Sequence, residues 1–189
     1  MVVAQDAAPA VSVQVMWDEE RASLVTTTGL SANALFDLVG SRVAVVELLE
    51  GAAGAQEMAN LLALPGLSHR VVATSTDILA LFDLEAKVPG TRTLWLHEEG
   101  VGEPGLDDLV AQLRSQGVDG VAFHHLNVHP LLVDRMRREG FLIAAWGVPA
   151  GNETDRLTDL GVNFLMLDET ARAKEVTPMS RLAVSFATP

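Results

Sequence analysis

The chain contains no cysteine, which excludes a disulfide framework and thiolate chemistry and leaves only oxygen and imidazole donors for any metal. Positive charge is scarce as well. The 13 Lys and Arg are outnumbered by 25 Asp and Glu, giving a formal charge of −12 and a pI near 4.7. No basic surface is therefore available to neutralise the phosphates of nucleic acid or of an anionic membrane. Long apolar runs are also missing: nothing approaches the roughly 20 residues of a membrane-spanning helix. The stretch from Met1 to Ala10 carries no positive charge ahead of its small residues, unlike a secretory signal. These absences predict a cytoplasmic protein without a nucleic-acid partner or a membrane span.

The 189 residues suffice for one domain with a real core, yet a complete (β/α)₈ barrel usually takes about 250. Short runs rich in Val and Leu recur, each followed by a longer amphipathic stretch, the pattern of a parallel sheet with crossover helices. Strands are predicted at Val11 to Met16, Ser23 to Thr27, Val43 to Leu48, Arg70 to Thr74, Thr93 to His97, Gly120 to His124, Leu142 to Trp146 and Asn163 to Leu167. Helices are predicted at Ser31 to Val39, Ala55 to Leu64, Asp77 to Lys87, Gly105 to Gln116, His129 to Glu139 and Thr154 to Leu160. Gly117, Gly140 and Gly161 each follow a helix and precede a strand, where a left-handed C-terminal cap belongs. Only Trp17 to Ala22 separates the first two strands. That is too short for a helical crossover, so they must form a hairpin with Asp18, Glu19 and Glu20 at a solvated tip. The economical reading is a single domain over 1–189, with a looser tail from Glu169 to Pro189 that holds a last helix around Ala171 to Lys174.

Several phrases, in order, carry a resemblance. Gly140-Phe-Leu-Ile-Ala-Ala-Trp-Gly-Val-Pro is followed by Asn152-Glu153, a helix, and Leu160-Gly-Val-Asn-Phe-Leu-Met-Leu-Asp168. Upstream stand His69-Arg-Val-Val-Ala-Thr-Ser-Thr-Asp77, Val43-Ala-Val-Val-Glu-Leu-Leu49 and the Leu30 to Val39 segment. From Val11 to Asp168 this order resembles the glycerophosphodiester phosphodiesterase family, a (β/α)₈ barrel that hydrolyses glycerophosphodiesters with a divalent metal. The resemblance places Trp146 on the family's tryptophan, Asp168 on its terminal aspartate, Ser75 on its strand-end serine and Glu47 on the glutamate of Glu-x-Lys.

Departures from the family pattern fall on its chemistry. The first family strand, with its His-Arg-Gly phrase and acid/base histidine, has no counterpart in the ten residues before Val11. The metal-binding Glu-x-Asp aligns with Ser12 and Gln14, the His-Asp that ends the hairpin aligns with Thr27 and Thr28, and Leu49 replaces the lysine. Glu47 is the one retained family ligand, and a hard divalent cation wants about six oxygen ligands. Losing a general acid/base typically costs about 10²- to 10⁴-fold. The expectation is an incomplete TIM-type barrel, α/β, phosphodiesterase-like, lacking its first β/α unit and carrying a β-hairpin near the N-terminus, without a cofactor. Mg or Ca is implied only if the family activity is retained.

Were these strands to close into a barrel, their carboxyl ends would gather Glu47, Ser75, His97, His124 or His125, Trp146 and Asp168. Glu47, His97, His125 and Asp168 are the catalytic candidates, while Ser75 and Trp146 are the candidates for a substrate pocket. Each has a plainer role. The histidines begin polar loops, and alternation lets only one of His124 and His125 face inward. Trp146 can be core, Asp168 can cap the tail helix, and Arg135, Arg137 and Arg138 can pair with neighbouring acids.

A barrel short of one unit would leave strand edges to cover. A homodimer, a protein partner, the N-terminal segment Met1 to Ala10, or the apolar segment Leu182 to Phe186 could do so. Three functions follow: a catalytically degenerate domain for binding or assembly, an active phosphodiesterase with a rearranged or upstream-completed site, and a small-molecule binder, possible ligands including a small phosphodiester.

Overall fold

Strands that must be covered on both faces need apolar residues in both of their alternating rows, and the Val-rich runs supply them. The structure, a computed structural model, describes residues 11–18, 23–26, 31, 34, 43–49, 51–63, 67–167 and 184–186. The strands are β1 (Val11–Asp18), β2 (Ser23–Thr26), β3 (Ala44–Leu48), β4 (Val71–Ser75), β5 (Arg92–His97), β6 (Gly120–His124), β7 (Leu142–Val148), β8 (Phe164–Leu167) and β9 (Val184–Phe186). Between them lie α1 (Gly51–Leu62), α2 (Ile78–Lys87), α3 (Leu106–Ser115), α4 (Pro130–Glu139) and α5 (Asn152–Leu160).

One sheet holds all nine described strands in the order β2-β1-β3-β4-β5-β6-β7-β8-β9. The seven from β1 through β3 to β8 run parallel, with β2 antiparallel to β1 at one end and β9 antiparallel to β8 at the other. Among the described residues this is an incomplete α/β barrel, as expected. The predicted hairpin is present, with Val15 opposite Thr26 and Asp18 opposite Ser23. The apolar tail segment supplies β9, so the option of covering an edge with the chain itself is realised along β8. The hairpin tip, the helix predicted at Ser31 to Val39 (apart from residues 31 and 34) and the tail helix lie outside the described residues. No helix among the described residues is long and apolar enough to cross a membrane.

Two apolar layers sandwich the sheet. Val46, Ala73, Val121, Phe123, Ile143 and Ala145 point to the helices, where they meet Met58, Leu81, Leu84, Leu113, Leu132, Met136 and Leu157. The intervening positions Val45, Val72, Leu94, Ala122, Ala144, Phe164 and Met166 face one another on the inner side. Helix ends are fixed locally. Asp77 caps α2 by accepting from the Leu79 N–H at 3.0 Å, and His129 caps α4, whose first residue is Pro130, a position that wastes no donor. Gly117, Gly140 and Gly161 take φ of +63°, +80° and +86°, the left-handed caps expected from sequence.

The starts of the strands are pinned by side chains acting on backbone. Asp119 accepts from the Thr93 N–H at 2.8 Å, while Asn163 accepts from the Ile143 N–H at 2.9 Å and donates its own N–H to the Ile143 carbonyl. At Gly120 the backbones of β6 and β7 approach so closely that a Cβ would lie 2.2 Å from the Leu142 carbonyl oxygen. Gly120→Ala should therefore cost about 1–3 kcal/mol in urea unfolding, because backbone rather than a flexible side chain must move. An unchanged midpoint would refute that contact.

Candidate functional site

In a parallel barrel the reactive groups gather where the strands end and the connecting loops begin. Alternation decides which of them turn inward. Val45 and Val72 belong to the inner layer, so Glu47 and Thr74 share that side. By the same count the inward positions toward the strand ends are Glu47, Thr74, Leu96, His124 and Trp146. Ser75 and His97 fall on the alternate, helix-facing row.

Each placement has a physical basis. The Ser75 hydroxyl is 1% exposed, donates to the Leu48 carbonyl at 3.0 Å and accepts from the Asp77 N–H at 3.1 Å. It ties β3 to the turn into α2. His97 lies edge-on to Trp95, with ring centroids 4.6 Å apart, and 5.1 Å from Phe123. Its Nδ1 is 2.8 Å from the Glu99 carbonyl. Trp95 in turn donates to the Thr76 carbonyl at 3.1 Å, and with Leu96, His97, Glu98 and Glu99 these residues line an open groove.

Of the neighbouring histidines, His124 occupies the inward row and His125 leaves the strand for the short 3-10 turn His125–Asn127. The expectation had placed His125 in the site. Val121 and Phe123 must bury against the helices, so Ala122 and His124 turn the other way. The His124 ring stands edge-on to Trp146 with centroids 4.6 Å apart, and the two residues are in register across β6 and β7. The register of β7 with β8 breaks between Ala145 and Val148, around Gly147 at φ +65°. A bulge of this kind re-aims side chains at a strand end. It also carries β7 two residues beyond the end expected from sequence. The Trp146 indole nitrogen is buried and has no hydrogen-bond partner among the described residues.

His125 instead enters an ion-pair cluster that sequence reasoning missed. Its Nδ1 is 2.8 Å from Glu153 Oε1, and Arg156 donates to Glu153 at 2.9 and 2.6 Å. The same guanidinium reaches the Val128 and His125 carbonyls, each at 3.1 Å. Together they clamp the loop after β6 onto α5. The hydrogen bonds from Arg156 and His125 hold the Glu153 carboxyl at about 2, well below the ordinary value of 4.5. Nothing local in the sequence marks this cluster, since the partners are 28 and 31 residues apart.

The described donor set does not fit a hard divalent cation. Glu47 lies in register with Gln14, and Ser12 with Val45, so the residue paired with Glu47 on β1 adds no carboxylate. Among the described residues no group of three His, Asp or Glu side chains is placed to hold an ion. Asp168, the remaining candidate, lies outside the described residues.

No family model and no curated protein sequence matches the chain, but solved structures do. A glycerophosphodiester phosphodiesterase of Parabacteroides distasonis superposes with a TM-score of 0.71 at 15% identity, covering 88% of this chain and 82% of that one. The chain has the fold of the glycerophosphodiester phosphodiesterases. A phosphodiesterase of Oleispira antarctica, solved with the product sn-glycerol-3-phosphate, matches with a TM-score of 0.66 at 12% identity, covering 84% of this chain and 80% of that one. A Silicibacter pomeroyi protein assigned as a glycerophosphoryl diester phosphodiesterase gives 0.61 at 18% identity, covering 76% of this chain. The present chain spans only 53% of that protein's length.

The clamp at Glu153 makes a prediction with a definite sign. Its lowered pKa contributes stability that is complete above about pH 4.5 and is lost as the pH falls toward 2. With its side chain 22% exposed, solvent screening reduces the effect, and Glu153→Gln should cost about 0.5–1 kcal/mol at pH 7. Urea unfolding at pH 7, 5 and 3 should show the difference between wild type and variant shrinking through the acid range. A constant difference would mean that the carboxylate charge is not what Arg156 and His125 hold.

Proposed function

We propose that this chain is a non-catalytic, glycerophosphodiester phosphodiesterase-like barrel domain that serves binding or assembly. The observation that carries the reading is the pairing of β1 with β3, which sets neutral Gln14 beside Glu47. A phosphodiester-cleaving site needs a metal or cationic clamp for the developing charge on phosphorus. The resemblance assigns that work to a Glu-x-Asp and a lysine, and Ser12, Gln14 and Leu49 stand at those positions. Leu49 is 43% exposed. The competing reading, a hydrolase using Glu47, His97, His125 and Asp168, would require His97 and His125 to leave their present partners and turn inward.

Assembly is supported by the sheet itself. Its outermost described strands, β2 and β9, are four and three residues long. The described sheet ends in these two strands and is not closed on itself, and an open edge is where a second copy or another protein can add a strand.

The decisive assay is release of glycerol 3-phosphate from glycerophosphocholine by the purified chain, with Mg²⁺ or Ca²⁺ supplied. Product formation should match the uncatalysed background and be unaffected by chelator. Metal-dependent, chelator-sensitive turnover would end the non-catalytic reading. Light scattering during gel filtration is expected to report a dimer, and a concentration-independent monomer would confine the role to binding.

A further inference from the structure

Two buried polar atoms without a hydrogen-bond partner among the described residues stand at neighbouring strand starts, Arg70 Nε and the Thr91 hydroxyl. Arg70 closes the 3-10 turn that leads into β4, and Thr91, 1% exposed, directly precedes β5. The register sets Val72 opposite Arg92, so one step back Thr91 stands beside Val71, next to Arg70. Buried donors of this kind cost free energy until an acceptor arrives. Arg92, the first residue of β5, shares the inward row with Leu94 by alternation. Both arginines therefore lie where parallel strands begin, at the opposite end of the sheet from Glu47, His124 and Trp146.

The charge pattern elsewhere sets this corner apart. Arg114, Arg135, Arg137 and Arg156 each pair with a carboxylate, and Arg138 donates to the Asp134 carbonyl. Among the described residues Arg70, Arg92 and Lys87 have no such side-chain partner, although the chain holds 25 acids against 13 Lys and Arg. Lys87 ends α2, and the turn closed by the Thr91 N–H on the Val88 carbonyl brings the chain from there to β5. Lys87 thus stands at the same end, where it also offsets the negative end of the helix. Asp119, the acid that precedes β6, already accepts from the Thr93 N–H and hydroxyl.

Ligand chemistry follows from these donors. Each guanidinium presents a planar fork that grips two oxygens at once. A carboxylate is used up by one fork, whereas a phosphate has oxygens enough to bridge two. Arg70 is only partly buried and Arg92 is exposed, which leaves the pair open to solvent. The net charge of −12 opposes an extended polyanion, so the matching ligand is small.

We propose that Arg70 and Arg92 form a binding site for a single phosphate group, free or at the end of a phosphomonoester, at the amino-terminal end of the strands. The site is separate from the barrel mouth and independent of whether the mouth cleaves. Arginine Nε–H signals in ¹H–¹⁵N spectra test it. The Arg70 signal is assigned by its loss in Arg70→Lys, and Arg156, whose Nε already donates to Glu153 at 2.9 Å, serves as the internal control.

Titration with inorganic phosphate at constant ionic strength should move the Arg70 signal saturably and leave Arg156 in place, while acetate should bind at least about tenfold more weakly. Arg92→Gln should weaken phosphate binding about tenfold or more, the worth of one charge-assisted hydrogen bond, with the rest of the spectrum unchanged. Arg92→Lys, which keeps the charge and loses the fork, should fall between. Methyl phosphate binding as tightly as phosphate assigns the site to a phosphomonoester end, and much weaker binding assigns it to the free ion. An Arg70 signal that ignores phosphate, moves together with Arg156, or responds equally to acetate would overturn the proposal. So would undiminished binding by Arg92→Gln.

Discussion

The structure depends on one constraint, that a parallel sheet wrapped by helices has to bury both of its faces. Each strand therefore serves two cores at once, a thick one against the helices and a thin one within the curve of the sheet. Residues such as Val46, Phe123 and Ile143 meet large helical side chains, whereas the inner layer is filled by Val45, Ala122 and Ala144 together with Leu94 and Phe164. Because the period is two, committing Phe123 outward commits His124 inward. The polar residues available to a site are thus those that the packing of their apolar neighbours releases.

The same constraint explains why a ring read from strand ends divides in two. Ser75 and Glu47 each end a strand, but Ala73 and Ser75 share the helix side while Val45 and Glu47 share the inner side. Ser75 then satisfies its hydroxyl with the backbone of the β3–β4 edge, an economical solution for a buried polar group. His97 follows Trp95 outward. At β7 the bulge around Gly147 interrupts simple alternation, and here the chain invests a positive φ in seating the His124 ring.

Much of the fold was legible in the sequence, because Val-rich runs bounded by glycine specify buried parallel strands and the left-handed caps after α3, α4 and α5 have few alternatives. Strand ends were less so. Leu142 to Trp146 reads as a complete strand, and only the tertiary approach of His124 to Gly147 shows why pairing continues to Val148. The 3-10 turn at His125–Asn127 is short enough to have no periodicity of its own. Glu153 and Arg156 read as ordinary helix-surface charges at i and i+3. Their role as a clamp depends on a loop that sequence places far away and the barrel brings close.

The site is a sharper case of the same limit. Trp146 stood out because of a resemblance, and Glu47 because a carboxylate ends an apolar strand, but neither observation specifies which chemistry remains. Fold similarity at 12–18% identity carries the arrangement of strands and not the side chains that act on a substrate. What differs lies in individual positions: neutral Gln14 in register with Glu47, exposed Leu49, and the edge-on His124 and Trp146 rings where β6 and β7 end. The proposed non-catalytic reading rests on those positions rather than on the ancestry suggested by the fold.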